Sequence, residues 1–177
     1  MEFKLEHTFD CDIISFEKAL DHPELNKYLE ERLSDIKTRE IIERRENGKS
    51  VFTSFKVVPD YVLPQSAGKY ISQSMLHWME EATRDRNAHT IIYKIIPPIF
   101  KSQFKTEFNY KFTDIGQNKT LRQVFGSIVV VFPGLGQRIE EYITPRIVKV
   151  INEEAEIISK FIEKYFPKSI EGAENEL

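Results

Sequence analysis

The stretch Phe104-Lys105-Thr106-Glu107-Phe108-Asn109-Tyr110-Lys111-Phe112 decides how the chain is read. Phe104, Thr106, Phe108, Tyr110 and Phe112 share one parity, and Lys105, Glu107, Asn109 and Lys111 share the other. Successive strand residues point to opposite faces, so this is a half-buried β-strand with an aromatic inner face and a charged outer one. A single strand cannot hide such a face, so the neighbouring segments must supply a sheet and a covering layer.

Both are present on either side. Downstream, a strand is predicted at about 120–132, and Pro133-Gly134 then ends the two-residue period. From there Ile139, Tyr142, Ile143, Ile147, Val150, Ile151, Ile158, Phe161, Ile162 and Tyr165 recur at three- and four-residue steps. That is one wide apolar face on a helix of roughly 30 residues, about 45 Å long. Pro145 either kinks this helix or opens a second one capped by Thr144. Upstream, strands are predicted at about 36–46, 50–58, 75–83 and 90–96, and Asn47-Gly48 suits a type I′ hairpin turn between the first two. Phe3, Leu5, His7 and Phe9 alternate with polar residues in an opening strand. Two short helices follow it, one at 16–20 capped by Ser15 and one after Asp21 or His22 with Pro23 at its first position. The expected class is α+β: a curved antiparallel sheet of about six or seven strands gripping a long C-terminal helix. The expected domain covers 1–167, and 168–177 reads as a loose acidic tail.

Composition bounds the chemistry. The chain has 177 residues, 41% apolar and 30% charged, with a net charge of −3. Its mean hydropathy is −0.40, yet it carries 13 Phe and 7 Tyr, so many rings need burial. The charge balance gives no general reason to expect nucleic acid. The basic residues Lys94, Lys101, Lys105, Lys111, Lys119 and Arg122 read as a solvated outer face without an aromatic platform. No segment reaches the ~18 apolar residues of a membrane span, and no signal peptide is visible, so a cytoplasmic protein is expected. Cys11 is the only cysteine, which excludes an internal disulfide, and its acidic neighbours Asp10 and Asp12 disfavour a thiolate.

Motifs for catalysis are sparse. His7, His22, His77 and His89 show no metal-ligand spacing, and no metal or other cofactor is expected. Gly134-Leu135-Gly136 lacks the rest of a phosphate-binding fingerprint and reads as a strand-to-helix turn. The adjacent pairs Glu80-Glu81, Glu140-Glu141 and Glu153-Glu154 do not face one another. Glu80 shares parity with Leu76 and Trp78, and which parity faces inward is left open by the sequence.

The order of elements resembles the START-like, helix-grip superfamily, which includes polyketide cyclases, Bet v 1-type allergens and lipid-transfer domains. Short stretches are similar to an uncharacterised bacterial branch of it: Phe3-Lys4-Leu5-Glu6-His7, Leu63-Pro64, Trp78 with Glu80, and Pro133-Gly134-Leu135-Gly136-Gln137-Arg138-Ile139-Glu140. The resemblance implies a pocket for a hydrophobic or amphipathic small molecule such as a lipid, between sheet and helix. Its expected lining is Trp78, Tyr93, Phe104, Phe108, Tyr110, Phe112, Tyr142, Ile143 and Ile147, with the segments 60–73 and 97–103 as lips. Two other functions share this fold. One is a cyclase or hydratase drawing its acid or base from His7, His77, Glu80 or a tyrosine. The other is a protein-binding adaptor.

Overall fold

The computed structural model describes residues 1–60, 77–99 and 101–167. The expected tail, Leu63-Pro64 and all but the first residue of the proposed lip at 60–73 lie outside the described residues.

Strand β1 (Glu2–Phe9) is followed by helices α1 (Ile13–Leu20) and α2 (Leu25–Glu30). Six strands come next: β2 (Ile36–Glu46), β3 (Ser50–Pro59), β4 (Trp78–Asp85), β5 (Thr90–Ile96), β6 (Phe104–Asp114) and β7 (Thr120–Val130). The chain then forms α3 (Gly136–Tyr165). The seven strands make one antiparallel sheet in the order β1-β7-β6-β5-β4-β3-β2. Every step but one is between strands consecutive in sequence, and the exception places β1 beside β7. α3 packs against β7, α2 and α1, so the long helix and the two short ones cover the same side of the sheet. This is the helix-grip α+β fold.

Local chemistry explains the boundaries, with two corrections. Asp12, not Ser15, caps α1: its carboxylate accepts from the Ser15 amide at 2.8 Å and from the Ser15 hydroxyl at 2.8 Å. The helix therefore starts one turn earlier than expected, and Ser15 lies inside its first turn, where its own amide is the free donor that the cap satisfies. The Asn47-Gly48 hairpin forms, but not with a type I′ turn. Gly48 alone takes a positive φ (79°), and the Asn47 amide bonds the Ser50 carbonyl at 3.1 Å. Glycine thus centres a γ-turn, closed by the Lys49 amide on the Asn47 carbonyl at 3.0 Å, while the Ser50 amide donates to Asn47 Oδ1 at 3.0 Å. At the second short helix, Leu25 bonds back to the His22 carbonyl, and Pro23 and Glu24 form a turn ahead of the helix rather than its first residues.

Of the two readings left open at Pro145, the continuous helix holds: α3 runs 30 residues with Pro145 inside it. Two glycines shape its start. Gly134 takes φ 73°, and a Cβ on Gly136 would lie 2.0 Å from the Val130 carbonyl oxygen, so only glycine lets the helix begin against the end of β7. The Glu140 carboxylate accepts from the Val130 amide at 2.8 Å and fastens the first helical turn to the same strand end.

The core absorbs the rings. Phe9, Phe16 and Phe112 form a chain with centroids 4.6 and 5.0 Å apart, and Phe161 stacks on Tyr165 at 4.3 Å beneath Tyr28 and His22. Each fully buried phenylalanine adds roughly 1.5–3 kcal/mol of transfer free energy.

Candidate functional site

The registers define the inner face of the sheet row by row. Phe3 lies beside Gly126 and Gly126 beside Phe108; Phe108 pairs with Tyr93, and Tyr93 with Ala82. The next row runs from Leu5 through Val124, Tyr110 and Ile91 to Arg84. Since side chains alternate, these rows fix the parity left open by the sequence: Trp78, Glu80, Ala82 and Arg84 face inward with Tyr93, Phe108 and Tyr110.

Most of the expected lining is brought together. Phe108, Tyr110 and Phe112 are buried, and Trp78, Tyr93, Phe104, Ile143 and Ile147 are partly buried against the same core. The Tyr93 and Tyr110 rings lie 4.8 Å apart. The indole Nε1 of Trp78 is buried with no hydrogen-bond partner among the described residues, a donor turned into the interior. Tyr142 is a correction. It is 50% exposed, and the Arg146 guanidinium lies 3.7 Å from its ring centre. One residue along a helix turns the side chain through about 100°, so Tyr142 falls off the stripe that carries Ile143 and Ile147. Thr144 takes the buried place instead.

The inner face also holds charges that sequence reasoning missed. Arg122, expected on the solvated outer face, is 1% exposed. It occupies the inward row beside Phe112 and His7. Its Nη1 donates to Glu154 of α3 at 2.8 Å, its Nη2 to the Ile151 carbonyl at 3.0 Å, and its Nε to His7 Nδ1 at 3.3 Å. The available signal was its parity with Val124, Gly126, Ile128 and Val130. Arg39 of β2 makes the second pair. It donates to Glu80 at 2.6 Å and to Asn26 at 2.6 Å, over the face of Phe55. Burial works against the Arg39 charge, but Glu80, together with Tyr93 and Glu154, outweighs it and holds its pKa above the ordinary guanidinium value. Arg84 is paired with Glu17 and, at 2.9 Å, with Asp21 of the α1 end. Burial, aided by repulsion from Arg86, pushes its pKa down to about 10.

Tyr93 and Tyr110 lie within the field of both Glu80 and Glu154. Burial first, and those carboxylates next, raise both phenols above their ordinary pKa of 10.0. They stay neutral donors at physiological pH.

His7 faces inward, but its ring is engaged. Arginine only donates, so Nδ1 is the acceptor for Arg122, and Nε2–H donates to Asn152 Oδ1 at 2.9 Å. Burial lowers its pKa from 6.5. His89 sits in a turn at φ 52° with Nδ1 3.2 Å from Glu17, and His77 precedes β4. Among the described residues, no group of three or more His, Cys, Asp or Glu side chains is placed to hold a metal ion.

Two open clefts are lined by described residues. One, about 400 Å³, lies between α1 and the β4–β5 turn. The other, about 340 Å³, lies where β5 parts from β6. Pairing between those strands ends at Tyr93 and Phe108; beyond it the Thr106 hydroxyl replaces the ladder, accepting from the Ile95 amide at 2.7 Å and donating to its carbonyl at 3.0 Å. Lys94, Lys105 and Ser127 line this second cleft from the outer face, and Ile95, Phe104 and Thr106 carry the inward parity.

A curved antiparallel sheet closed by a long C-terminal helix over an aromatic, partly charged interior is the START-like helix-grip fold. Solved structures agree on the fold. Norcoclaurine synthase from Thalictrum flavum superposes with a TM-score of 0.63 at 15% identity, covering 93% of this chain and 87% of that one. The Zhui aromatase/cyclase from Streptomyces sp. R1128 gives 0.61 at 10% identity over 98% and 99%. The 18 kDa protein CC1736 from Caulobacter crescentus gives 0.57 at 10% identity over 93% and 97%. Within that fold the chain belongs to the family described as "Protein of unknown function (DUF2505)", which it matches over residues 4–162. No curated protein matches it in sequence.

Proposed function

We propose that this protein binds a hydrophobic or amphipathic small molecule, such as a lipid, against the inner face of its sheet. The observation that carries the reading is the combination of an aromatic wall with an unpartnered, buried donor. Phe104, Phe108, Phe112 and the bodies of Tyr93 and Tyr110 offer apolar contact, and Trp78 Nε1–H faces the same interior without an acceptor among the described residues. A ligand with an apolar body and an oxygen acceptor matches both. Burial of apolar ligand area supplies roughly 25 cal/mol per Å² before the cost of ordering. The fold is shared with a norcoclaurine synthase and an aromatase/cyclase, which supports a small-molecule site in general. Acid–base catalysis by His7 or Glu80 has less support, because the lone pair of His7 is held by Arg122 and Glu80 is held by Arg39.

The test is organic extraction of the purified protein followed by mass spectrometry, together with titration of Trp78 fluorescence by fatty acids. Trp78 is the only tryptophan, so its emission reports one place. Saturable quenching or a spectral shift, lost in Phe108→Asp but retained in Tyr142→Ala, is the expected result. An empty extract and an unchanged spectrum overturn the reading.

A further inference from the structure

We propose that one end of the sheet is a docking surface for an anionic lipid bilayer. Two connections meet there, the β5–β6 loop and the β7–α3 loop. The Val131 amide bonds the Gln103 carbonyl at 2.8 Å, and Phe104 pairs with Val130 just inside the sheet. The apolar side chains at this end point outward. Val131 is 55% and Leu135 48% exposed; Phe132 of the same connection and Ile99 of the β5–β6 connection are exposed as well. The backbone holds the group together: Phe132 O accepts from the amides of Leu135 and Gly136 across the Gly134 turn. Scattered exposed leucines and valines are ordinary on a soluble surface, but four on two joined loops form a patch that water solvates poorly.

The charges around the patch select its partner. Lys94, Lys101, Lys105 and Arg138 are exposed and take part in no ion pair among the described residues. Of the acidic neighbours, Glu140 is paired with the Met1 ammonium at 2.8 Å, whereas Glu141 and Glu107 have only the neutral donors Gln137 and Asn109, so four unpaired cations face two uncompensated carboxylates. A protein partner would need a matching acidic and apolar surface. A bilayer with anionic headgroups offers both in every orientation: phosphates for the cations and acyl chains for the side chains. The cleft between β5 and β6 opens beside this end, lined by Ile96, Phe104 and Val129, so docking presents it to the bilayer. The docking inference does not depend on the ligand reading.

The experiment is co-sedimentation of the full chain with vesicles of phosphatidylcholine alone or with roughly one-third phosphatidylglycerol, at low salt and at about 1 M. Binding to the anionic vesicles and release at high salt are expected. Val131→Asp with Leu135→Asp abolishes the binding while circular dichroism and the melting temperature are unchanged. Arg138→Ala lowers the affinity about fivefold. Sedimentation equal on both vesicle types, absent from both, or indifferent to the aspartate substitutions overturns the proposal. So does concentration-dependent dimerisation that the same substitutions abolish without any vesicle binding, which would assign the patch to a second copy.

Discussion

The rings of Phe3 and Phe108 meet with centroids 5.9 Å apart, although their strands are not neighbours. Gly126 on β7 lies between them, paired with Phe3 on one side and Phe108 on the other. A Cβ on Gly126 would lie 2.1 Å from the tip of the Phe3 ring. The glycine is thus the floor on which the edge strand folds its ring over the sheet.

Gly126→Val is expected to destabilise the protein by about 1–3 kcal/mol through overpacking, even though valine favours strands. Phe3→Ala in the same chain removes the obstacle, so urea denaturation of the double mutant should show a cost well below the sum of the singles. Additive costs would mean that Gly126 is held for a reason other than the Phe3 ring.

The Arg122–Glu154 pair joins the sheet to α3 in the interior. Glu154→Leu leaves the Arg122 guanidinium buried without its carboxylate, at an expected cost of about 3 kcal/mol. Arg122→Met combined with Glu154→Leu removes both charges and should recover most of that loss. Chemical denaturation of the three variants checks it. A double mutant less stable than either single would show that the pair contributes net stability.

Stability should depend on pH at both ends of the range. His7 has a folded pKa below its ordinary 6.5, so its contribution is fully present above 6.5 and is lost as pH falls through the folded value. Tyr93 and Tyr110 have folded pKa values above 10.0, so their contribution is fully present below 10.0 and is lost as pH rises further. His7→Gln should flatten the acid limb of a plot of unfolding free energy against pH. In an alkaline absorbance titration of the folded protein, Tyr93 and Tyr110 should ionise above the ordinary phenol range. Ionisation of this pair at the ordinary phenol pKa while the fold persists would contradict its burial.

Pro145 lies inside α3 and deprives it of one backbone hydrogen bond, the one to the Glu141 carbonyl. Pro145→Ala should therefore raise stability by about 1–3 kcal/mol, a gain of several degrees in melting temperature for a chain of this size. An unchanged or lower melting temperature would mean that the missing hydrogen bond is offset elsewhere in the packing of α3.

Much of the architecture was legible because burial repeats with the period of the backbone. The 104–112 alternation survives intact in β6, and the three- and four-residue steps after Pro133 match a helix whose assigned ends are Gly136 and Tyr165. Turns were less legible. Asp12 and Ser15 are both plausible caps by composition, and only the geometry shows the carboxylate accepting from the Ser15 amide. At the hairpin, Asn47-Gly48 announces a reversal, but which residue takes the positive φ depends on a register set by the flanking strands.

The sequence by itself determined the class of fold, the aromatic identity of the inner wall and the long helix opposite it. Those follow from local periodicity, which each segment carries alone. Tertiary structure decided which charges lie inside. Arg122 and Arg39 look like surface residues until strand pairing sets their parity and distant elements bring Glu154 and Glu80 to meet them. It also removed Tyr142 from the wall, because a helix turned by one residue exchanges a buried ring for an exposed one. A buried ion pair is a property of two segments together, and no window of one segment contains it.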